Sequence, residues 1–355
     1  MIRRACASKL GQFSTQLEKQ HVITELLPIF RQLAQDEQDA IRVLCLESLI
    51  YMASHLSKEE NQVHTLGTLL AAGEDKSWKV RLCFSKSFAK FAEAFGKEIS
   101  DNNLIQTFTL LLNDNEPEVK NAAITSLSQS LKNLSTEKIC NLILPTLQNS
   151  YADSQTNFKA GVALALCEMS HIVGKDYTIS KVMPILTELL KDDNAEVRLN
   201  VTQNIIKLAD IVQIDLLSPS FLTILTNLTK DAQWRVRMGV IELVGDLALK
   251  FGKEVYMKSL ESIFMQYLTN TAASVREMGI NKVQAMALVF KSEWVVSSFI
   301  PKIIDCYNIE KQGFNFRMAC LMSLSAVMPC LQKDQITEKV VPTLVMATTD
   351  KVPNV

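Results

Sequence analysis

A basic residue recurs almost every 39 positions, at Arg3, Arg42, Arg81, Lys120, Lys159, Arg198, Arg237, Arg276 and Arg317, and only the last step is longer, at 41. The residue before it is Val or Ile, except at Lys159 and Arg317, where it is Phe. A second column lies six positions upstream, at Asp36, Asp75, Asp114, Asp153, Asp192, Asp231 and Asn270. A third is proline, at Pro28, Pro145, Pro184, Pro301 and Pro342. Three columns in one register mean that a single structural unit is repeated along the chain.

The unit reads as two helices. Ile179, Val182, Met183, Ile185, Leu186, Leu189 and Leu190 recur at three- and four-residue spacing, which is one apolar helix face. Lys191-Asp192-Asp193-Asn194 breaks the pattern, and Val197 to Val212 resumes it. An Asp in the break can accept hydrogen bonds from the free N–H groups that open the second helix, and its charge suits that end of the helix. Gly96, Gly174 and Gly252, two periods apart, are expected to close the second helix in the left-handed conformation. The prolines are expected to kink the first helix or to sit in its first turn.

A lone hairpin cannot bury both apolar sides, so hairpins must stack. The expected fold is all-α: a right-handed solenoid of antiparallel hairpins over residues 1–355, with eight complete hairpins at about 20–332 and a half repeat at each end. The ends cut through a repeat, so the chain reads as a fragment of a longer solenoid. Within the stack, Arg42, Arg81, Arg198, Arg237, Arg276 and Arg317 and the acids Asp75, Asp114, Asp153, Asp192 and Asp231 form a structural ladder, each arginine bridging carboxylates or helix carbonyls of its own and the adjacent unit.

Lys plus Arg number 37 against 38 Asp plus Glu, so the net charge of -1 gives no field to draw in nucleic acid or an anionic membrane, and protein partners are expected. The eight cysteines include no Cys-x-x-Cys pair; Cys6 and Cys45 share one slot and read as small apolar filler in a reducing compartment, cytoplasmic or also nuclear. No uninterrupted apolar run approaches a membrane span. The four histidines have no metal-ligand spacing, and with 11 glycines there is no Gly-rich loop or nucleophile elbow, so neither catalysis nor a cofactor is expected.

The informative slot lies three residues before the basic column, in the turn between the helices. It holds Asp39, Trp78, Pro117, Thr156, Ala195, Trp234, Ala273, Phe314 and Pro353. Small or polar residues suffice at most of these positions, so Trp78 and Trp234 read as binding anchors, with Lys76, Lys79 and Arg235 beside them. The alternative is that each Trp folds back over its own hairpin. Trp294, after Lys291-Ser292-Glu293, reads as packing between hairpins.

The strings Ile2-Arg3-Arg4-Ala5, Glu74-Asp75-Lys76-Ser77-Trp78-Lys79-Val80-Arg81, Ala195-Glu196-Val197-Arg198-Leu199-Asn200 and Asp231-Ala232-Gln233-Trp234-Arg235-Val236-Arg237 closely resemble the HEAT-repeat scaffold (A-type) regulatory subunits of type 2A serine/threonine protein phosphatase. The resemblance runs the whole length in one register. It implies a horseshoe of hairpins and membership of a heterotrimer, with an exchangeable B-type regulatory subunit held on the turns of earlier repeats and the phosphatase catalytic subunit on those of later ones. Carried over, Arg3, Arg4, Glu37, Trp78 and Lys79 face the regulatory subunit, with Lys79 where the family has arginine. Trp234 and Arg235 face the catalytic subunit, with Phe314 and Val352 near it. Ala273 stands where the family often has tyrosine, and Lys311-Gln312-Gly313 enlarges one turn. A karyopherin-like transport receptor is the other adaptor class with this period.

Overall fold

The computed structural model describes residues 1–152, 155–307 and 313–352. All regular structure among them is helical, and the chain divides into two compact units, 1–177 and 178–355. In each unit the helices pair as antiparallel hairpins that stack as an α-solenoid.

In the first unit the second helices are Ile2–Ser14, Asp39–His55, Trp78–Phe95, Pro117–Ser130 and Thr156–Val173, and each packs on the next. In the other unit they are Ala195–Asn204, Trp234–Phe251, Ala273–Trp294 and Phe314–Val327, again packed in succession. The residue before each basic position explains the stacking. Ile41, Val80, Val119, Phe158, Val197, Val236, Val275 and Phe316 are all buried, so each of these eight repeats inserts one branched or aromatic side chain beside its basic residue, whereas Ile2 beside Arg3 is exposed.

The first helices depart from a single smooth helix. Val22–Leu26, Ile139–Ile143, Thr178–Val182, Val295–Phe299 and Ile336–Val340 are π-helical turns, each followed by an α-helical segment whose second residue is the column proline. In the first of these the Leu27 N–H bonds back to the Val22 carbonyl, five residues away. Proline has no N–H and its ring crowds the preceding turn, and a widened turn relieves that crowding. The proline is not the whole cause, because Ser100–Leu104 and Tyr256–Leu260 are π-helical too, with Gln106 and Ser262 in the proline slot.

The second helix read as Val197–Val212 is α-helical only over Ala195–Asn204 and tightens to a 3-10 helix at Ile205–Asp210. Asn200, Thr202 and Asn204 each bond the carbonyl four residues back, which competes with the helix ladder, and β-branched Val201, Thr202, Ile205 and Ile206 crowd the turn.

Gly96, Gly174 and Gly252 do end their helices at positive φ, of 81°, 81° and 89°, but with ψ of 170°, 177° and 174°. This is the mirror of an extended strand, not the left-handed helical cap expected from the sequence. It carries the chain straight into the next hairpin, and only glycine adopts it without strain. One period beyond Gly252 stands Lys291, with φ 69° and ψ 171°, and one period beyond Gly174 stands Gln213, with φ 57°. The stretch Ala273–Tyr307 is long and apolar enough by composition to cross a membrane, but it comprises two helices of successive hairpins meeting at Lys291.

Cysteine packing is uneven within one slot. Cys45 is buried while Cys6 is exposed, which corrects the reading of both as small apolar filler: only Cys45 fills the packed side of this slot.

Candidate protein-binding ridge

Most intra-repeat turns among the described residues are built by one acid and one arginine, with Asn270 in place of the acid at one of them. Asp36, Asp75, Asp114, Asp192, Asp231, Asn270 and Asp350 accept a hydrogen bond from the backbone N–H two residues on, at 2.7 to 3.1 Å. The acid therefore closes a turn around the residue that caps the second helix. It does not cap the first-turn N–H groups themselves, which differs from the expectation from the sequence, because it lies two positions before the N-cap residue.

The other face of the acid receives the arginine of the preceding repeat. Arg42 Nε and Nη2 donate to both Asp75 oxygens at 2.7 Å. Its Nη1 donates to the Asp36 and Glu37 carbonyls of its own turn, at 2.8 and 3.2 Å. Arg81 repeats the fork on Asp114 at 2.6 and 2.9 Å and bonds the Asp75 carbonyl at 2.8 Å. Arg198 holds Asp231 at 2.7 and 2.9 Å and the Asp192 carbonyl at 2.6 Å. Arg317 holds Asp350 at 2.6 and 2.8 Å.

Each fork spans 33 residues, which is one period less the six-residue offset between the columns. Asp350 was legible from that arithmetic, yet it stands apart from the acids of the sequence column. Two arginines have amide partners: Arg237 reaches Asn270 Oδ1 at 3.2 Å, and Arg276 reaches Asn315 Oδ1 at 3.3 Å. Asp153 and the Lys311-Gln312 part of the enlarged turn lie outside the described residues.

Electrostatics follow the geometry. Burial at Asp75 and at Asp114 opposes ionisation, but the facing guanidinium and a backbone N–H outweigh it and hold both carboxyls below 3.8. The same fork raises the pKa of Arg42 and of Arg81, against the opposing effect of burial.

With the turns at Asp75 and Asp231 pinned from both sides, the slot three residues before the basic position is the first residue of the second helix, as it is at Asp39, Trp78, Pro117 and Thr156 in one unit and at Ala195, Trp234, Ala273 and Phe314 in the other. Trp78 and Trp234 are each 37% exposed and Phe314 is 42% exposed. The Arg235 guanidinium lies over the Trp234 ring, 5.2 Å from its centroid. Beside Trp78, the Ser77 hydroxyl donates to Asp39 at 3.0 Å, and Lys79 Nζ stands 3.7 Å from the same carboxylate. Asp39 thus holds the residues on either side of Trp78, a link between adjacent repeats that the columns do not reveal because Asp39 occupies the aromatic slot.

Arg3 pairs with Asp36 at 2.8 Å while its side chain stays 60% exposed, and Arg4 and Glu37 are exposed. Val352 is half-buried and donates its N–H to Asp350. Pro353 lies outside the described residues. Trp294 is elsewhere, buried edge-on against Tyr256 and Phe290. Among the described residues no cluster of three or more His, Cys, Asp or Glu could hold a metal ion.

A family model described as "Dynein axonemal assembly factor 5-like, TPR repeats" matches residues 80–304, more than half of the chain. The chain belongs to this helical-repeat family. Within the family's span lie the rungs from Arg81–Asp114 to Arg237–Asn270 and the Trp234 turn. Among curated proteins it is similar to a probable serine/threonine-protein phosphatase PP2A regulatory subunit of Caenorhabditis elegans, 45% identical over 58 residues, which is 16% of this chain and 10% of that protein. It is also similar to the A-type regulatory subunit of protein phosphatase PP2A of Schizosaccharomyces pombe, 32% identical over 66 residues, covering 19% and 11%. The chain thus spans about a tenth of these curated relatives.

Among solved structures the karyopherin Kap121p bound to the SUMO protease Ulp1p aligns over 97% of this chain and 38% of its own, with a TM-score of 0.61 at 14% identity. Importin beta aligns over 94% and 47%, with a TM-score of 0.60 at 13% identity. At such identities the likeness is one of fold, that of the HEAT-repeat solenoid.

Proposed function

We propose that this helical-repeat scaffold is the non-catalytic A-type subunit of a type 2A serine/threonine phosphatase. It would hold a catalytic subunit on the Trp234 turn and a B-type regulatory subunit on the Trp78 turn, as part of a heterotrimer. The observation that carries the reading is the pair of half-exposed tryptophans opening second helices on turns locked by an arginine–aspartate fork. A large rigid side chain on a pre-organised turn loses little entropy on binding and makes an effective anchor. The two short matches to phosphatase regulatory subunits support the same assignment. Arg235 and Phe314 extend the catalytic-subunit footprint, with Val352 at its margin, and Arg3, Arg4, Glu37 and Lys79 extend the regulatory one.

The test is co-purification with phosphatase catalytic subunit, comparing the chain with Trp234→Ala. Loss of a central anchor costs about 2 kcal/mol or more, roughly a thirtyfold loss of affinity. Absence of the phosphatase from both preparations would sink the function, and equal recovery by both would sink the anchor.

A second reading, a karyopherin-like transport receptor, is supported by the structural likeness over nearly the whole chain. It predicts capture by Phe-Gly repeat peptides that Trp234→Ala leaves unchanged.

A further inference from the structure

A cavity of about 190 Å³ lies in the first unit between the first helices Leu27–Leu33 and Leu66–Gly73 of adjacent hairpins. Its cause is visible in the repeat register. Ala72 occupies the slot that holds buried Leu33, Leu111, Leu189 and Leu228 in other repeats. Ala34, on the facing helix, occupies the slot of buried Leu112, Leu190 and Leu268. Two facing leucines are thus replaced by alanine across one inter-repeat seam. Gly67, in the proline slot, narrows nothing, since a Cβ there would meet no atom within 4 Å.

The floor is apolar and fully buried, formed by Phe30, Leu46 and Val80. The lining also includes Arg42 and Asp75, joined in their fork, and Gln35 and Thr68, whose side chains make no hydrogen bond among the described residues. The chemistry of an occupant follows. Both oxygens of Asp75 and three nitrogens of Arg42 are already engaged, so neither charge is available to an ion, and an anion or cation would have to break the fork. An enclosed apolar cavity of about 150 Å³ accepts benzene in proteins; this pocket, partly open and of mixed polar and apolar lining, has a similar volume that suits one small aromatic ring system, with Gln35 and Thr68 to meet one N–H or O–H.

We propose that this seam is a binding site for a single small, uncharged aromatic molecule. Filling it bridges two adjacent hairpins directly beside the Arg42–Asp75 rung, so occupancy stiffens this seam of the stack. The proposal does not depend on the phosphatase reading.

Indole is the probe and benzoate the charged control. Binding to the full chain, followed by calorimetry and by the rise in melting temperature, is expected with a Kd of roughly 0.1 to 1 mM for indole, at least tenfold tighter than for benzoate. Ala72→Leu and Ala34→Leu each restore a side chain that the fold accommodates elsewhere. Each is expected to raise the melting temperature and to weaken indole binding at least tenfold. If one variant fails to fold, the other decides. No indole binding up to its solubility limit, indole binding unchanged in the folded variants, or benzoate binding as tightly as indole overturns the proposal.

Discussion

Replacing Arg42 with Met removes one rung while keeping the apolar stem, and the structure indicates how much should be lost. Arg42 and Asp75 side chains are 8% and 11% exposed, so the pair is close to fully desolvated. Without the guanidinium, Asp75 retains only the Ser77 N–H on one oxygen, and the Asp36 and Glu37 carbonyls lose a shared donor. Breaking a buried pair from one side costs about 3 to 5 kcal/mol because the remaining charge is stranded.

In a solenoid such a loss is borne by the two hairpins that share the rung, because each repeat contacts only its neighbours. Amide hydrogen exchange is therefore the assay. Slowly exchanging amides in Asp39–His55 and Trp78–Phe95 are expected to lose roughly a hundredfold or more in protection, at about 1.4 kcal/mol per factor of ten, while those of Trp234–Phe251 stay unchanged. Asp75→Asn in the Arg42→Met background should restore part of the loss by removing the stranded charge. A change of less than about threefold in the two helices, or an equal change in Trp234–Phe251, would refute the rung as the local tie between hairpins.

Lys291 adopts a backbone conformation that glycine fills at the equivalent Gly252, so Lys291→Gly is expected to raise stability by about 1 kcal/mol, read as an increased urea midpoint. Gly279→Ala should destabilise by about 1 to 3 kcal/mol in the same assay, because a Cβ there overlaps the Tyr267 ring, which is fully buried and hydrogen-bonded through its hydroxyl to Ser323 at 2.7 Å. Asp75 and Asp114 have carboxyls depressed below 3.8 in the fold, so their contribution is complete above that value and disappears as pH falls through it toward their folded values. An acid titration by circular dichroism should therefore show stability falling below about pH 4, with a shallower fall in Arg42→Met.

How much was legible follows from what repeats. The apolar residue beside each basic position, the acid or amide six residues upstream and the turn slot all recur at fixed spacing, so hairpins and turns could be read from one line of text. Details set by crowding could not. The π turns depend on how the first helix packs as well as on proline, since Gln106 and Ser262 keep them, and the ψ of Gly252 depends on where the next hairpin must start. The role of Asp39 was not legible for a different reason: its partners, Ser77 and Lys79, sit in the next repeat.

The sequence by itself determined the period, the all-helical hairpin and the identity of the ladder residues, because these are properties of spacing along the chain. The tertiary structure alone decided what each ladder residue binds and where the stack is imperfectly filled. A column shows that Arg42 and Asp75 recur, but only packing brings them to 2.7 Å across two repeats. A column also shows Ala where leucine recurs, but only facing helices turn Ala34 and Ala72 into a shared cavity. Whether neighbours compensate for missing volume depends on contacts between repeats, and those are distant in sequence.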